Sequence, residues 1–369
     1  MTRSHTVKCA LPSVQDAEHD EHPLGVLPSI RGLRFVCPLC RGKLFVSETS
    51  YSCEACRKTF GVHAGIPDFR VFPDPYLDFR EDRERTEIVL SGLEKYDLKK
   101  LLDYYWRFSD ITPEDLRSKF IQSALRGEER ARAAVEAFGR GGSTGYMSGN
   151  RILEIGSGTG NYLTAVIGKC ECVVGTDIAM RWLHVSRRRF MDKGVPVPPL
   201  VCCCAEYLPF ADGSFDRIAA TSTLEFVKDQ RKVMSEAARV LQAGGKFYLN
   251  SVNRYSLAQD PYCLLWGVGF VPRRWQAKYV FWRRLSIYNT RLLSFIEFQR
   301  LASSFFGTPE FMLPDISPNL MNQFSLFRRL EIRVYQFLKS FHIFSRILRH
   351  VGPGWEVVLK KPDSLGTRS

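Results

Sequence analysis

Ile152-Leu153-Glu154-Ile155-Gly156-Ser157-Gly158-Thr159-Gly160 decides how this chain of 369 residues is read. An apolar run meets three glycines set at alternate positions. The run predicts a buried strand, and the glycines predict a sharp turn into a helix, where backbone can approach a ligand closely. Around it, candidate strands at 151–155, 172–177, 200–205, 215–220 and 246–252 alternate with helices near 159–168, 180–192 and 229–241. This alternation predicts an α/β fold with a mostly parallel sheet covered on both faces. The apolar run Leu200-Val201-Cys202-Cys203-Cys204-Ala205 suits a strand buried on both sides.

A strand followed by glycines can face NAD, FAD or S-adenosylmethionine. A dinucleotide fingerprint would read GxGxxG, with a helix N-terminus aimed at pyrophosphate. Here the third glycine comes one residue early. Glu154 would also sit badly beside a pyrophosphate, whereas a cofactor carrying an ammonium tolerates it. Asp177 follows the second strand, where a carboxylate can accept from two hydroxyls at once.

On these motifs the chain resembles the class I S-adenosylmethionine-dependent methyltransferases. The resemblance covers about 146–253 and implies a Rossmann-like, mostly parallel seven-stranded sheet. It implies that Glu154, Gly156, Ser157, Gly158 and Gly160 hold the methionine part of the cofactor. Asp177, with Ile178 beside it, would take the ribose, and Ala205-Glu206 would bracket the adenine. Thr223-Leu224-Glu225 matches the end of the fourth strand, beside the transferring methyl, with Thr221 as a further cofactor-binding candidate, and Arg239-Val240-Leu241-Gln242-Ala243-Gly244-Gly245 matches the turn before the fifth. One position departs: many members of that family carry Asp before the Ala-Glu pair, and here it is Cys204.

Upstream, Cys37-Pro38-Leu39-Cys40 and Cys53-Glu54-Ala55-Cys56 stand twelve residues apart, with a hairpin expected at 43–51. Two such knuckles supply the four tetrahedral ligands of a closed, structural Zn²⁺ site. The unit 31–70 looks like the small zinc ribbons that accompany methyltransferases. The remaining organisation is a mobile tail at 1–30, a helical linker or lid at 71–145, a domain at 146–361 and a tail at 362–369. Helices are expected at 86–100 and 113–138. Tyr104-Tyr105-Trp106 would either pack on the next domain or form a lid. Gly139-Arg140-Gly141-Gly142-Ser143 marks a boundary.

With 45% hydrophobic residues the chain can bury a large core. Eleven cysteines, an odd number, fit reduced thiols in a cytoplasmic protein. No apolar leader or uninterrupted spanning run is expected. The net charge of +13 is uneven: 254–361 carries 16 Lys/Arg against 6 Asp/Glu, and 146–253 carries 13 against 10. The basic third therefore favours an acidic partner. It also holds a substrate-side insertion, 254–350, with helices expected at 290–305 and 328–350 and a closing strand from Trp355. Leu330, Val334, Phe337, Leu338, Phe341, Phe344 and Leu348 make one apolar stripe on the second helix.

Methyl transfer needs alignment with the activated methyl and, for some acceptors, a base. Glu225 is the catalytic candidate; its bland alternative is a capping or solvated carboxylate. Asn253, Arg254, Tyr255 and Trp266 are the substrate-binding candidates. Two acceptor readings stay open. One is a small molecule, glycan or lipid-linked intermediate, with 328–350 resting peripherally on a membrane surface or else buried as a core helix. The other is RNA, gripped by the ribbon and the basic third. A third reading is an inactive cofactor-binding interaction protein.

Overall fold

The computed structural model describes residues 33–108, 112–140, 151–315, 321 and 326–363. The expected tail at 1–30, the glycines after Arg140 and the last residues from 364 lie outside the described residues. In chain order the elements are β1 (Leu44–Val46), β2 (Ser50–Cys53), β3 (Thr59–His63), β4 (Ile66–Pro67), α1 (Phe79–Leu93), α2 (Leu98–Trp106) and α3 (Glu114–Arg140). Then come β5 (Arg151–Ile155), α4 (Asn161–Val166), β6 (Cys172–Asp177), α5 (Met180–Asp192), β7 (Leu200–Cys202), β8 (Phe215–Thr221), α6 (Gln230–Val240) and β9 (Leu241–Val252). The C-terminal part adds α7 (Arg273–Arg284), α8 (Phe295–Ser303), β10 (Glu310–Met312), α9 (Leu326–Lys339), α10 (His342–Val351) and β11 (Gly354–Lys360).

The large sheet has seven strands in the order β10-β11-β9-β8-β5-β6-β7. From β9 to β7 every pairing is parallel, and β11 runs antiparallel between β9 and β10. This is the Rossmann-like methyltransferase sheet. Its central strands are buried because α4 and α5 cover one face and α6 and α8 pack on the other. The order reverses at β5 and β8, which opens a crevice at the strands' C-terminal ends.

Four expectations about local structure change. The helix expected at 86–100 is two helices. Asp78 and Glu81 form a capping box that starts α1 earlier, and Asp97 caps α2 anew, carrying it through Tyr104-Tyr105-Trp106. The turn expected at 239–245 is a bulge inside β9: Leu241 already pairs with Phe215, and the ladder resumes at Lys246. The helix expected from Thr290 begins at Phe295, because Ser294 and Glu297 cap it reciprocally. The helix expected at 328–350 is broken between Lys339 and His342 into α9 and α10.

The N-terminal meander β1-β2-β3-β4 lies along the β7 edge of the large sheet. The Phe69 N–H donates to the Cys202 carbonyl at 2.7 Å, and the Val36 N–H to the Pro209 carbonyl at 3.0 Å. An edge strand exposes unpaired backbone groups, and here the meander covers them. Phe35, Tyr51, Phe60, Phe69, Phe210 and Phe215 form a chain of ring contacts across the junction. Meander and sheet thus share one hydrophobic core.

Candidate cofactor and substrate site

After β5 the chain turns through Gly156–Gly160 into α4. The Ser157 N–H donates to the Thr176 carbonyl at 2.8 Å, which ties the turn to β6. Gly156 has φ of +71°, and a Cβ there would stand 2.3 Å from the Thr223 hydroxyl. Only glycine lets the turn and the end of β8 come this close. Gly160, at φ +78°, has a different role: a Cβ would stand 2.2 Å from Ser186 Oγ on α5. Gly160 does not line the cavity described next, so its expected place against the cofactor becomes a packing role between α4 and α5.

A cavity of about 560 Å³ opens at the C-terminal ends of β5, β6 and β8. Glu154, Gly156, Ser157, Gly158, Asp177, Ile178, Ala205, Glu206 and Thr221 all line it. Asp177 accepts from the Gly158 and Ala179 N–H groups, each at 2.8 Å. Burial pushes its carboxyl up to about 6, against the pull of those two bonds. Glu154 is buried, with the Thr221 hydroxyl 3.4 Å from one oxygen. Burial, then the Asp177 charge, raises its carboxyl well above the ordinary range. Glu154 Oε2, Ser157 Oγ and Asn161 Oδ1 are buried without a partner within the chain. Unpaired buried polar atoms are costly. A ligand bearing an ammonium and hydroxyls would satisfy them, so the residues present fit S-adenosylmethionine.

The adenine end differs from expectation in detail. Glu206 Oε1 accepts from the Lys228 and Asp229 N–H groups at 2.8 and 3.1 Å. One of its oxygens therefore holds the turn before α6. The Cys204 thiol points to the Phe72 carbonyl at 3.5 Å, and Cys204 does not line the cavity.

Of the aromatic residues that line the cavity, Tyr105 and Trp106 belong to the cluster expected to pack or form a lid, while Tyr76, Phe120 and Trp182 escaped sequence reasoning. Tyr76, Tyr105, Trp106, Phe120 and Trp182 form an aromatic wall. Tyr105 and Trp106 pack on Trp182 with centroids 5.0 and 6.0 Å away, so this cluster both packs on the sheet layer and closes the cavity. Arg181 lines the cavity while bonded to Asp74 at 2.8 Å and to Asp82. Arg70, from the segment after β4, joins Asp82 at 2.5 Å and Asp68 at 2.6 Å and donates to the Ile178 carbonyl at 3.2 Å. This buried chain of ions links the meander to the Asp177–Ile178 loop. Its signal in the sequence was five scattered charges, which no local pattern joins.

The residues expected to bind substrate lie elsewhere. Asn253 is buried, donating to the His350 carbonyl at 2.7 Å and accepting from the Tyr255 N–H at 3.2 Å. Arg254 faces Glu297 at 3.6 Å and donates to the Gly269 carbonyl at 3.1 Å. Tyr255 packs on Phe270, and Trp266 is half exposed. None of the four lines the cavity, because β9 turns away there to pair its end with β11 and α10. Glu225, the expected base, is buried behind the wall and does not line the cavity either. The residues after β8 and in the C-terminal part that do line the cavity are Ser222, Thr223, Phe226, Tyr262, Ser286 and Ile287. Ser222 holds a left-handed φ of +50°, a strained conformation typical of functional sites.

In the meander, the Cys37, Cys40, Cys53 and Cys56 sulfurs all lie within 4.8 Å of one another. The Cys37–Cys56 and Cys40–Cys53 pairs stand at 3.6 and 3.4 Å. Tetrahedral thiolates at ~2.3 Å from an ion are ~3.8 Å apart. The cluster therefore matches a four-thiolate metal site.

Residues 153–249 match the family model described as "Methyltransferase domain". The ubiquinone/menaquinone biosynthesis C-methyltransferase UbiE of Cupriavidus pinatubonensis (strain JMP 134 / LMG 1197) is 37% identical over 101 residues, which is 27% of this chain and 41% of that protein. The protein of the same name from Chromobacterium violaceum is 34% identical over 110 residues, 29% of this chain and 45% of that protein. The chain thus spans less than half the length of these curated relatives. Among solved structures, a putative sarcosine dimethylglycine methyltransferase from Galdieria sulphuraria superposes with a TM-score of 0.43 at 17% identity, over 72% of this chain and 98% of that one. The glycine turn and the sheet order lie within the matched segment or on its sheet, and residues 153–249 thus form a methyltransferase domain.

Proposed function

We propose that this protein transfers the methyl group of S-adenosylmethionine directly to a small-molecule or lipid-linked acceptor. The observation that carries the reading is one cavity holding both halves of the task. At one end stand Glu154, Ser157 and Asp177 with unsatisfied or acceptor atoms, and at the other an apolar and hydroxyl-lined wall. Its volume falls within the ~300–1,000 Å³ of small-molecule sites. The matched relatives are named for C-methylation in ubiquinone/menaquinone biosynthesis, which agrees with a small acceptor.

Glu154 and Ser157 hold the methionine end, Asp177 the ribose hydroxyls, and Ile178 and Ala205 the adenine. The cofactor supplies a methyl already activated by its sulfonium. The wall from α2, α3 and α5 excludes water and fixes orientation, from which most of the rate then comes. Asp177→Ala lowers cofactor affinity at least tenfold in calorimetry; unchanged affinity overturns the assignment. Asp177 accepts ribose hydroxyls as a carboxylate, so protonation competes below its value of about 6. Affinity is therefore highest above that pH and falls as pH drops through it, and Asp177→Asn flattens this dependence. Labelled methyl supplied to a cell extract enters the lipid or small-molecule pool. Label in RNA alone overturns the acceptor class, and binding without any transfer makes the protein a cofactor-binding interaction module.

The four cysteines hold a structural Zn²⁺, since all four positions are filled by protein. Metal analysis of the purified chain finds one zinc per molecule; its absence with the meander still folded removes the ion.

The acceptor is met at a lipid surface. Among the described residues no helix is long and apolar enough to cross a membrane. Yet α9 and α10 turn Leu330, Val334, Phe337, Phe341 and Phe344 outward, with Phe337 64% exposed, and Arg333 and Arg346 flank the stripe. Apolar side chains between cations suit an anionic interface. The protein floats with phosphatidylglycerol vesicles, and replacing Phe337 and Phe344 by Ser abolishes flotation; equal flotation overturns the idea.

A further inference from the structure

Glu225 follows β8, and Tyr262 lies in the segment between β9 and α7. They meet at the acceptor end of the cavity. The Tyr262 hydroxyl donates to Glu225 Oε1, and the Ser251 hydroxyl donates to Oε2 at 3.3 Å. Tyr262 lines the cavity beside Ser222, Thr223 and Phe226, with Glu225 behind it.

Besides Glu225, two contacts hold the phenol in place. Its ring meets Phe226 edge-on, with centroids 4.8 Å apart. Ser222, the strained residue that follows β8, lines the same stretch of the cavity as the phenol. Its loop is pinned by Asp260, which accepts the Tyr262 N–H at 2.7 Å and the Tyr288 hydroxyl at 2.8 Å. Among the described residues no cation pairs with Glu225; the two hydroxyls, with the backbone N–H groups of Glu225 itself and Val252, are what bond it. A buried carboxylate bonded to hydroxyls is far less stabilised than one paired with a cation. Burial accordingly raises its proton affinity, and the bond from Tyr262 opposes that rise. A packing role would be served better by Gln or Leu. A carboxylate with raised proton affinity, one hydrogen bond from a phenol that faces a reaction cavity, is suited to receive a proton.

We propose that Tyr262 is the catalytic residue that takes the acceptor's proton and that Glu225 receives the proton Tyr262 gives up. The inference rests on the methyl-transfer reading above. The acceptor's X–H bond breaks toward the Tyr262 oxygen as that oxygen's own proton passes to Glu225 Oε1. The acceptor's electron pair forms the new X–CH₃ bond, and the sulfur keeps the pair of the broken S–CH₃ bond. A sulfonium and a carboxylate become a neutral thioether and a neutral carboxylic acid, so charge and atoms balance. Glu225 touches neither acceptor nor cofactor; it acts through Tyr262.

The test compares Tyr262→Phe, Glu225→Gln and the double variant. Activity is read as labelled methyl incorporated into cell extract, and cofactor affinity by calorimetry. Each single variant loses about 10²-fold or more in rate, and the double variant loses no more than the singles because the two act as one unit. Cofactor affinity stays within about threefold, reporting an intact cavity. Infrared difference spectra of parent and Glu225→Gln, taken without cofactor or acceptor at pH 8, show a carboxylate band that shifts in Tyr262→Phe. The pair is overturned if Tyr262→Phe keeps more than a third of the rate, if the losses add, if cofactor affinity collapses, or if Glu225 is already protonated at pH 8. A parent that transfers no methyl at all would instead sink the reading of function on which the pair rests.

Discussion

The meander β1–β4 and the helices α9 and α10 sit beside opposite edges of one sheet, and they treat their aromatic residues in opposite ways. The meander turns Tyr51, Phe60 and Phe69 inward, against Phe210 and Phe215 of the sheet layer. The helices turn Phe337, Phe341 and Phe344 outward. Similar side chains thus belong to a shared core at one edge and to an open face at the other. The meander also reaches the cofactor loop through Arg70, whereas α10 is tied down mainly at its end, where Trp355 donates to the Arg349 carbonyl at 3.0 Å. Apolar content alone does not say whether a segment holds the fold together or meets a partner. The destination of the side chains does.

Removing the proposed metal strains this contrast most. Without thiolate–metal bonds the meander loses its knuckles, the β7 edge is uncovered and the shared core opens. Chelation, or Cys37→Ser, lowers Tm by roughly 10 °C or more in scanning calorimetry, and cofactor affinity falls with it as Arg70 releases the Ile178 carbonyl. A meander that melts alone, leaving the sheet's Tm unchanged, would show two cores instead of one. Phe69→Ala comes next: a fully buried ring at the junction costs about 3–5 kcal/mol in denaturant unfolding. Arg70→Met isolates the coupling. It breaks the ion chain without emptying the core, and it weakens cofactor binding by about tenfold, on the order of 1.4 kcal/mol. The smallest effect belongs to the outward stripe. Phe337→Ser with Phe344→Ser changes unfolding by about 0.5 kcal/mol or less per site, and a large loss would mean that the stripe is core after all.

Much of the cofactor end was legible in sequence because its residues are local. Glu154 to Gly160 lie on one strand and turn, and Asp177 lies at the end of the next strand, so their spacing encodes their geometry. The four cysteines were legible for the same reason: each CxxC makes its own turn. The acceptor end was not. Asn253 and Arg254 follow a strand and invite assignment to the cleft, but β9 continues into pairing with β11, and their side chains are occupied by α10 and Glu297. Tyr262, ten residues past the strand, has no periodic or motif signal at all; Asp260 and Phe226 place it. Glu225 was found by its position after a strand, and burial then moved it behind the wall. The broken helix at 340–341 also went unread, because the stripe's 3.6-residue spacing runs on across the break.

The sequence by itself determined the alternation of strands and helices, the glycine turn with its carboxylates and the two cysteine knuckles. Local backbone preference and short-range spacing are enough for these. Only the tertiary structure decided three things: that the meander caps the β7 edge, that a chain of five largely buried ions binds it to the Asp177 loop, and that Tyr262 lines the cavity with Glu225 bonded behind it. Each joins residues tens to more than a hundred positions apart, and contacts at that range follow from how the layers pack, which no local pattern of residues records.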